Sequence, residues 1–128
     1  MKKTLSLLLI TLCLFSMSGC GAPKERSYNI APSGEWQDGT YTITTKGFKS
    51  NFDVTTTISD GKLASVEVGD NKETASRGGR AIKTMPDEMI EEQTYDVDIV
   101  SGATRTSTAL RTAVGEALEK ASGKSGDE

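Results

Sequence analysis

Three runs of alternating residues between positions 40 and 68 constrain the fold of this chain most strongly. The runs 40–44, 52–59 and 64–68 alternate apolar or β-branched residues with polar ones, which is the period of a half-buried strand. Asp60-Gly61 separates the second run from the third and is a turn signal, as is Asp38-Gly39 before the first run. The pattern therefore predicts three antiparallel strands.

The hairpin at Asp60-Gly61 needs a register that places the apolar residues of both strands on one face. A two-residue loop would set Val54 opposite Glu67 and turn Val66 to the wrong face. We therefore predict a three-residue loop, Ser59-Asp60-Gly61, with a type I turn and the glycine in the left-handed conformation. This register has four pairs: Ile58 with Lys62, Thr56 with Ala64, Val54 with Val66, and Phe52 with Val68.

Two helical patterns follow the strands. The first is interrupted by Pro86 and predicts two short helices, 80–84 and 86–93. The second has an apolar stripe from Leu110 to Leu118 and predicts a helix from Thr106 to about Ala121. Strands followed by helices, without alternation, predict an α+β fold: a small antiparallel sheet of three to four strands with helices packed on one face.

The first twenty residues resemble the signal of a bacterial lipoprotein. Lys2 and Lys3 precede a short apolar run, and Met17-Ser18-Gly19-Cys20 resembles a lipobox. The alternative is an ordinary signal peptide with a chance cysteine near the cleavage site. The lipoprotein interpretation divides the chain into four parts: a signal peptide at 1–19, a flexible tether at 20–37 that begins at lipidated Cys20, a folded domain at 38–121, and a disordered tail at 122–128. It also predicts an extracytoplasmic, lipid-anchored protein.

The composition excludes several classes of chemistry. The chain has no histidine, and its cysteines are Cys13, inside the signal, and Cys20. Triads with a histidine base, cysteine nucleophiles and the usual zinc sites are therefore excluded. Removing the signal takes away two of 15 basic residues and none of 18 acidic ones, so the formal net charge falls from −3 to −5. This charge argues against a nucleic-acid partner.

The segment Asp98–Leu110, DIVSGATRTSTAL, is unusually rich in hydroxyl groups. One interpretation is an N-cap, for which Thr104 or Thr106 would suffice. The other is an anion site, in which free amides at a helix start and Gly102 allow the backbone to approach a phosphate closely without basic side chains. The residues alone leave both open. The five hydroxyls belong to Ser101, Thr104, Thr106, Ser107 and Thr108.

The stretch Asp98-Ile99-Val100-Ser101-Gly102-Ala103-Thr104 resembles the flavinylation motif of the FMN-binding domain family: Asp, two variable residues, Ser or Thr, Gly, Ala, Thr. The resemblance extends from Asp38 to about Ala121. It implies that Thr104 carries FMN through a phosphoester bond made by a separate magnesium-dependent flavin transferase. Asp98 would be recognised by that enzyme or would position the loop, while Ser101, Gly102 and Ala103 would shape the backbone around the phosphate.

The same resemblance suggests residues outside the motif. Where the family often has Pro-Gly-hydrophobic-Gly, this chain has residues 74–79, so Thr74, Gly78 and Gly79 are carried over as contacts to the flavin ring. Thr106 or Ser107 would then cap the helix, and Thr108 would be solvated. Trp36 either covers the edge of the domain or contacts the flavin or a partner.

The resemblance implies a flavoprotein that relays electrons rather than a stand-alone enzyme. FMN would supply the redox chemistry, and the donor would be a membrane dehydrogenase or a quinone-linked protein. Two alternatives remain open: a carrier or sensor that binds FMN non-covalently, and a flavin-free interaction lipoprotein.

Overall fold

The computed structural model describes residues 27–123. Within this range the chain forms, in order, β1 (Gly39–Lys46), β2 (Asn51–Ser59), β3 (Lys62–Val68), α1 (Gly78–Glu92) and α2 (Thr104–Ala121). The strands form one antiparallel sheet in the order β1-β2-β3. Helix α2 packs on β1 and β2, α1 packs on β3, and the helices contact each other. This arrangement confirms the predicted α+β class.

The core lies between the sheet and the two helices. Residues two apart on β2 point to the same face, and this face is buried along the whole strand. The helices contribute long apolar side chains spaced by about one turn. The large apolar side chains buried in the core are Trp36, Ile43, Phe52, Val54, Ile58, Leu63, Val66, Met85, Met89, Val97, Leu110, Val114 and Leu118.

The hairpin between β2 and β3 differs from the predicted one. Ser59 pairs with Lys62, so the loop has two residues, Asp60 and Gly61. Their φ values of 54° and 74° are both positive, as a type I′ turn requires. The predicted three-residue loop is therefore wrong.

A β-bulge explains why the shorter loop is compatible with the apolar pattern. The register shifts between Thr57 and Ile58, so that Ile58 faces Leu63 while Thr57 faces Ser65. Ala64 is the extra residue of β3 and is exposed. Because the bulge restores the alternation, Leu63 and Val66 both lie on the buried face although they are three residues apart.

The first helical region also differs from its prediction, because α1 is one helix with Pro86 inside it. An internal proline removes one backbone hydrogen bond and costs about 3 kcal/mol. Ala81, Met85 and Met89, spaced by four residues, are nevertheless completely buried. Burial of this continuous stripe, at roughly 1.5–3 kcal/mol for each large side chain, offsets the cost of the proline.

The segment preceding β1 packs against the C-terminal end of α2. Trp36 is 4% exposed, and its Nε1 donates to the carbonyl of Ala31 at 2.7 Å. The Ala31 amide donates to Ser122 Oγ at 2.8 Å, and the Gln37 amide donates to the Ala121 carbonyl at 2.7 Å. Trp36 is thus part of the domain edge. The described part of the predicted tether, 27–37, is fixed to the domain.

Some predictions concern residues outside the described range. The signal peptide, Cys20, and residues 124–128 of the predicted tail lie there. Between residues 27 and 123, neither helix has the length and hydropathy needed to cross a membrane.

Candidate functional site

A tight turn leads directly into α2. The Ala103 amide donates to the Val100 carbonyl at 2.9 Å, which closes a four-residue turn. Gly102 occupies its third position with a φ of 81°, and a type II turn favours glycine there. A Cβ at this position would meet nothing within 4 Å. The glycine is therefore required for its conformation and not for space within the protein.

The hydroxyl groups after this turn do not cap the helix as predicted. Ala103 is the N-cap, and within residues 27–123 no side-chain hydrogen bond caps the start of α2. The helix begins at Thr104, two residues before the predicted start. Thr106 Oγ1 instead donates to Glu73 Oε2 at 2.7 Å. Ser107 Oγ accepts a hydrogen bond from the Val100 amide at 3.1 Å, which ties the turn to the helix.

Two hydroxyls of the segment remain at the helix surface. Thr104 is exposed, and its hydroxyl has no hydrogen-bond partner within residues 27–123. Thr108, predicted to be solvated, is half-buried. Thr104 is thus the hydroxyl of the first turn of α2 that a ligand or a modifying enzyme can reach.

A cavity of about 550 Å³ lies at the N-terminal end of α2. Its walls come from three separate segments: 48–49 in the β1–β2 loop, 73–78 before and at the start of α1, and 102–106 around the start of α2. This volume falls within the roughly 300–1,000 Å³ of small-molecule sites.

The cavity brings together part of the predicted site. Its lining includes five predicted residues: Thr74, Gly78, Gly102, Ala103 and Thr104. Asp98 and Ser101 are exposed and do not line it. Gly79 does not line the cavity either. Its amide donates to the Thr74 carbonyl at 2.7 Å.

The lining also contains charged residues that the sequence reasoning missed. Lys49, Arg77 and Arg105 contribute three positive charges and Glu73 one negative charge, which gives the cavity a formal charge of +2. This cavity therefore contains basic side chains that the motif alone did not lead us to expect. Arg105 follows the motif directly, whereas Lys49 and Arg77 lie in loops without a recognisable local pattern.

An exposed aromatic ring completes the cavity wall. Phe48 is 55% exposed, although it is a large apolar residue. Lys49 Nζ and Arg105 Cζ lie 5.5 Å and 5.7 Å from its ring centroid, which is cation–π distance. Because more than half of its surface is exposed, this side chain can contact the ring of a flat aromatic ligand.

These residues fit a ligand with a phosphate group and an aromatic ring system. The amides of the first turn of α2 and the three cations attract an anion, and Phe48 offers the apolar contact. Groups of three or more metal-ligating side chains are absent from residues 27–123. Backbone amides and the three cations are the groups of this cavity that can bind a phosphate.

Comparison with known proteins agrees with this chemistry. Residues 47–119 match the model of the FMN-binding domain family. The chain is 31% identical over 91 residues, 71% of its length, to the NADH:acrylate oxidoreductase of Vibrio harveyi. It is 30% identical over 86 residues, 67% of its length, to an uncharacterized protein of Treponema pallidum, and 27% identical over 112 residues, 88% of its length, to the urocanate reductase of Eggerthella lenta. The matched regions cover only 9%, 24% and 18% of these relatives.

Proposed function

The chain belongs to the FMN-binding domain family and has FMN as its cofactor, and we propose that it relays electrons through FMN attached covalently to Thr104. The choice of Thr104 as the attachment site is supported by its surroundings. Thr104 is exposed and lines the cavity, and its hydroxyl has no hydrogen-bond partner within the described residues. The neighbouring Thr106 and Ser107 hydroxyls are buried and engaged in hydrogen bonds.

The cavity supplies suitable contacts for both ends of FMN. The phosphate would lie at the first turn of α2, where Arg105 and Arg77 line the wall and free amides favour an anion. The ring system would lie toward Phe48, whose exposed face offers stacking. When bound, FMN supplies the redox chemistry, and the protein sets its orientation and the surrounding charge.

The covalent bond requires another enzyme, because a threonine hydroxyl needs an activating base. The chain has no histidine, and the Glu73 carboxylate accepts hydrogen bonds from Thr106 and Lys49 rather than from Thr104. We propose that a flavin transferase binds the motif from Asp98 to Thr104. The bond from Thr104 Oγ to the flavin-side phosphorus forms as the phosphoanhydride bond of the flavin donor breaks, and the rest of the donor leaves as a phosphate monoester that keeps the bridging oxygen. The hydroxyl proton passes to a base of the transferase.

The proposed location is the outer face of a bacterial membrane, with Cys20 lipidated. Six residues, 21–26, lie between Cys20 and the first described residue, Ser27. A fully extended chain of this length would span at most about 25 Å from Cys20 to Ser27. Such a distance would keep the flavin domain near the bilayer and near a membrane dehydrogenase or quinone-linked donor. The names of two relatives, an oxidoreductase and a reductase, support the redox role.

The attachment is tested by expressing the full chain with a flavin transferase and viewing denaturing gels under ultraviolet light. We expect a fluorescent band for the wild type and for Thr108→Ala, and none for Thr104→Ala. Fluorescence retained in Thr104→Ala would place the bond on another residue. Flavin that leaves on denaturation would favour the non-covalent carrier, and a colourless native protein would favour the flavin-free lipoprotein. The intact mass of the protein from its own cells would test lipidation of Cys20.

A further inference from the structure

Glu73 is the single acidic residue in the cavity wall within residues 27–123, and each of its carboxylate oxygens has a partner. Oε1 accepts a hydrogen bond from the Lys49 amide at 3.0 Å. Oε2 accepts one from Thr106 Oγ1 at 2.7 Å. These partners are 24 and 33 residues away in the sequence. One side chain therefore joins the three segments that form the cavity.

Two glycines leave the space that this carboxylate occupies. A Cβ at Gly78 would lie 2.8 Å from Glu73 Oε2 and 2.9 Å from Thr106 Oγ1. A Cβ at Gly47 would collide with Glu73 Oε1 on the opposite side. These distances are shorter than ordinary van der Waals contacts. The backbone thus closes around the carboxylate on both sides.

Glu73 forms one hydrogen bond to the β1–β2 loop and one to α2. A further hydrogen bond supports the connection to the β1–β2 loop. The loop before α1 has a second bond to the β1–β2 loop, because the Lys72 amide donates to Ser50 Oγ at 3.1 Å. The connection to α2 is the hydrogen bond that the Thr106 hydroxyl donates to Glu73. Thr106 lies in the same first turn of α2 as Thr104. Loss of the carboxylate would therefore release the start of α2 more than the other loop.

We propose that Glu73 is a positioning residue of the FMN site. Its carboxylate holds the β1–β2 loop and the first turn of α2 at the spacing that one FMN requires, and its charge offsets part of the Lys49, Arg77 and Arg105 cluster. This role rests on the proposed attachment of FMN in this cavity. The links themselves exist without flavin, so they can be tested separately.

The first experiment measures amide hydrogen exchange in the flavin-free full chain. In Glu73→Ala, exchange at the Lys49 amide should accelerate about tenfold or more, because a hydrogen bond to a charged acceptor is lost. The bonded amides at the start of α2 should also exchange faster: that of Ser107, which donates to the Ala103 carbonyl, and that of Val100, which donates to Ser107 Oγ. Glu67→Gln is the control, because Glu67 is exposed on β3 and outside the cavity. Unchanged exchange at Lys49 and in the first turn of α2 would overturn the proposal.

The second experiment measures the midpoint potential of the flavin-loaded protein. Adding electrons places negative charge in the site, so Glu73→Gln should raise the potential, whereas Glu73→Asp should stay near the wild type. A midpoint potential that is equal in Glu73→Gln, Glu67→Gln and the wild type would overturn the charge role.

If Glu73→Ala does not fold, Thr106→Val serves as a second variant for the exchange experiment. It removes only the hydrogen bond between α2 and Glu73, and it must accelerate amide exchange in the first turn of α2. A wild type without flavin would refute the proposed function, while the exchange experiment would still decide whether Glu73 forms the links.

Discussion

Replacement of Gly78 by alanine tests whether the site and the fold share the same packing. Gly78 is the first residue of α1 and is buried. Its Cβ would lie 2.8 Å from both Cβ and Oε2 of Glu73, and 2.9 Å from Thr106 Oγ1. Unstrained carbon contacts are about 3.5–4.0 Å. Glu73 Cβ must therefore move away from the new Cβ by at least roughly 0.7 Å, and Glu73 Oε2 and Thr106 Oγ1 must also move away from it.

The expected loss of stability is the difference between two effects. Overpacking costs about 1–3 kcal/mol. Alanine is favoured over glycine by up to about 1 kcal/mol within a helix, and at the first position of α1 this gain is smaller. We expect Gly78→Ala to destabilise the domain by about 1–2 kcal/mol. Since 1 kcal/mol shifts Tm by about 4–8 °C in a domain of this size, Tm should fall by about 4–16 °C.

The measurement is thermal unfolding of the flavin-free chain followed by circular dichroism, with Gly79→Ala as the control. Gly79 has the neighbouring position in the same helix, and its Cβ would lie 3.1 Å from the Thr74 carbonyl oxygen without meeting the Glu73 carboxylate. We expect the control to lose less than Gly78→Ala. Equal Tm values for Gly78→Ala and the wild type, with unchanged amide exchange at Lys49, would refute this account of the packing.

Two further substitutions test single features of the structure. Thr56 is completely buried, and its Oγ1 has no hydrogen-bond partner among the described residues. Thr56→Val should therefore raise the free energy of unfolding by about 1–2 kcal/mol in denaturant titrations; a decrease would show that the hydroxyl is satisfied. Gly102 has a φ of 81° and free space around it, so Gly102→Ala should cost about 1–2 kcal/mol. Asparagine tolerates this conformation better, and an equal loss in Gly102→Asn would contradict the conformational explanation.

The alternation of apolar residues was sufficient to predict the three strands but not the register between β2 and β3. The prediction of a three-residue loop assumed that both strands alternate without interruption. The bulge at Ala64 breaks this assumption and makes the two-residue turn at Asp60-Gly61 compatible with a buried Leu63. A bulge depends on how both strands pack against the helices, so the sequence of the hairpin alone does not reveal it.

The contrast between local sequence pattern and tertiary packing also explains the wrong prediction at Pro86. The local rule places a helix boundary before proline, and that rule predicts two helices. The buried stripe of Ala81, Met85 and Met89 continues across the proline, and its packing against the sheet and α2 keeps one helix. Local chemistry therefore predicted where the helical region lies, and tertiary packing decided that it is continuous.

The candidate site was predictable where it is contiguous in sequence and not where it is assembled by the fold. Gly102, Ala103 and Thr104 lie together in one motif, whereas Lys49, Glu73 and Arg77 reach the cavity from other loops. Such cations are needed to balance the negative charge of a phosphate, because a helix N-terminus provides only about half a positive charge. Under the proposed attachment the FMN phosphate is a diester with one negative charge. The cavity's formal charge of +2 would then leave an excess positive charge, which favours electron uptake by the flavin. Because Glu73 keeps this excess from being larger, its carboxylate connects the geometry of the site to the expected potential.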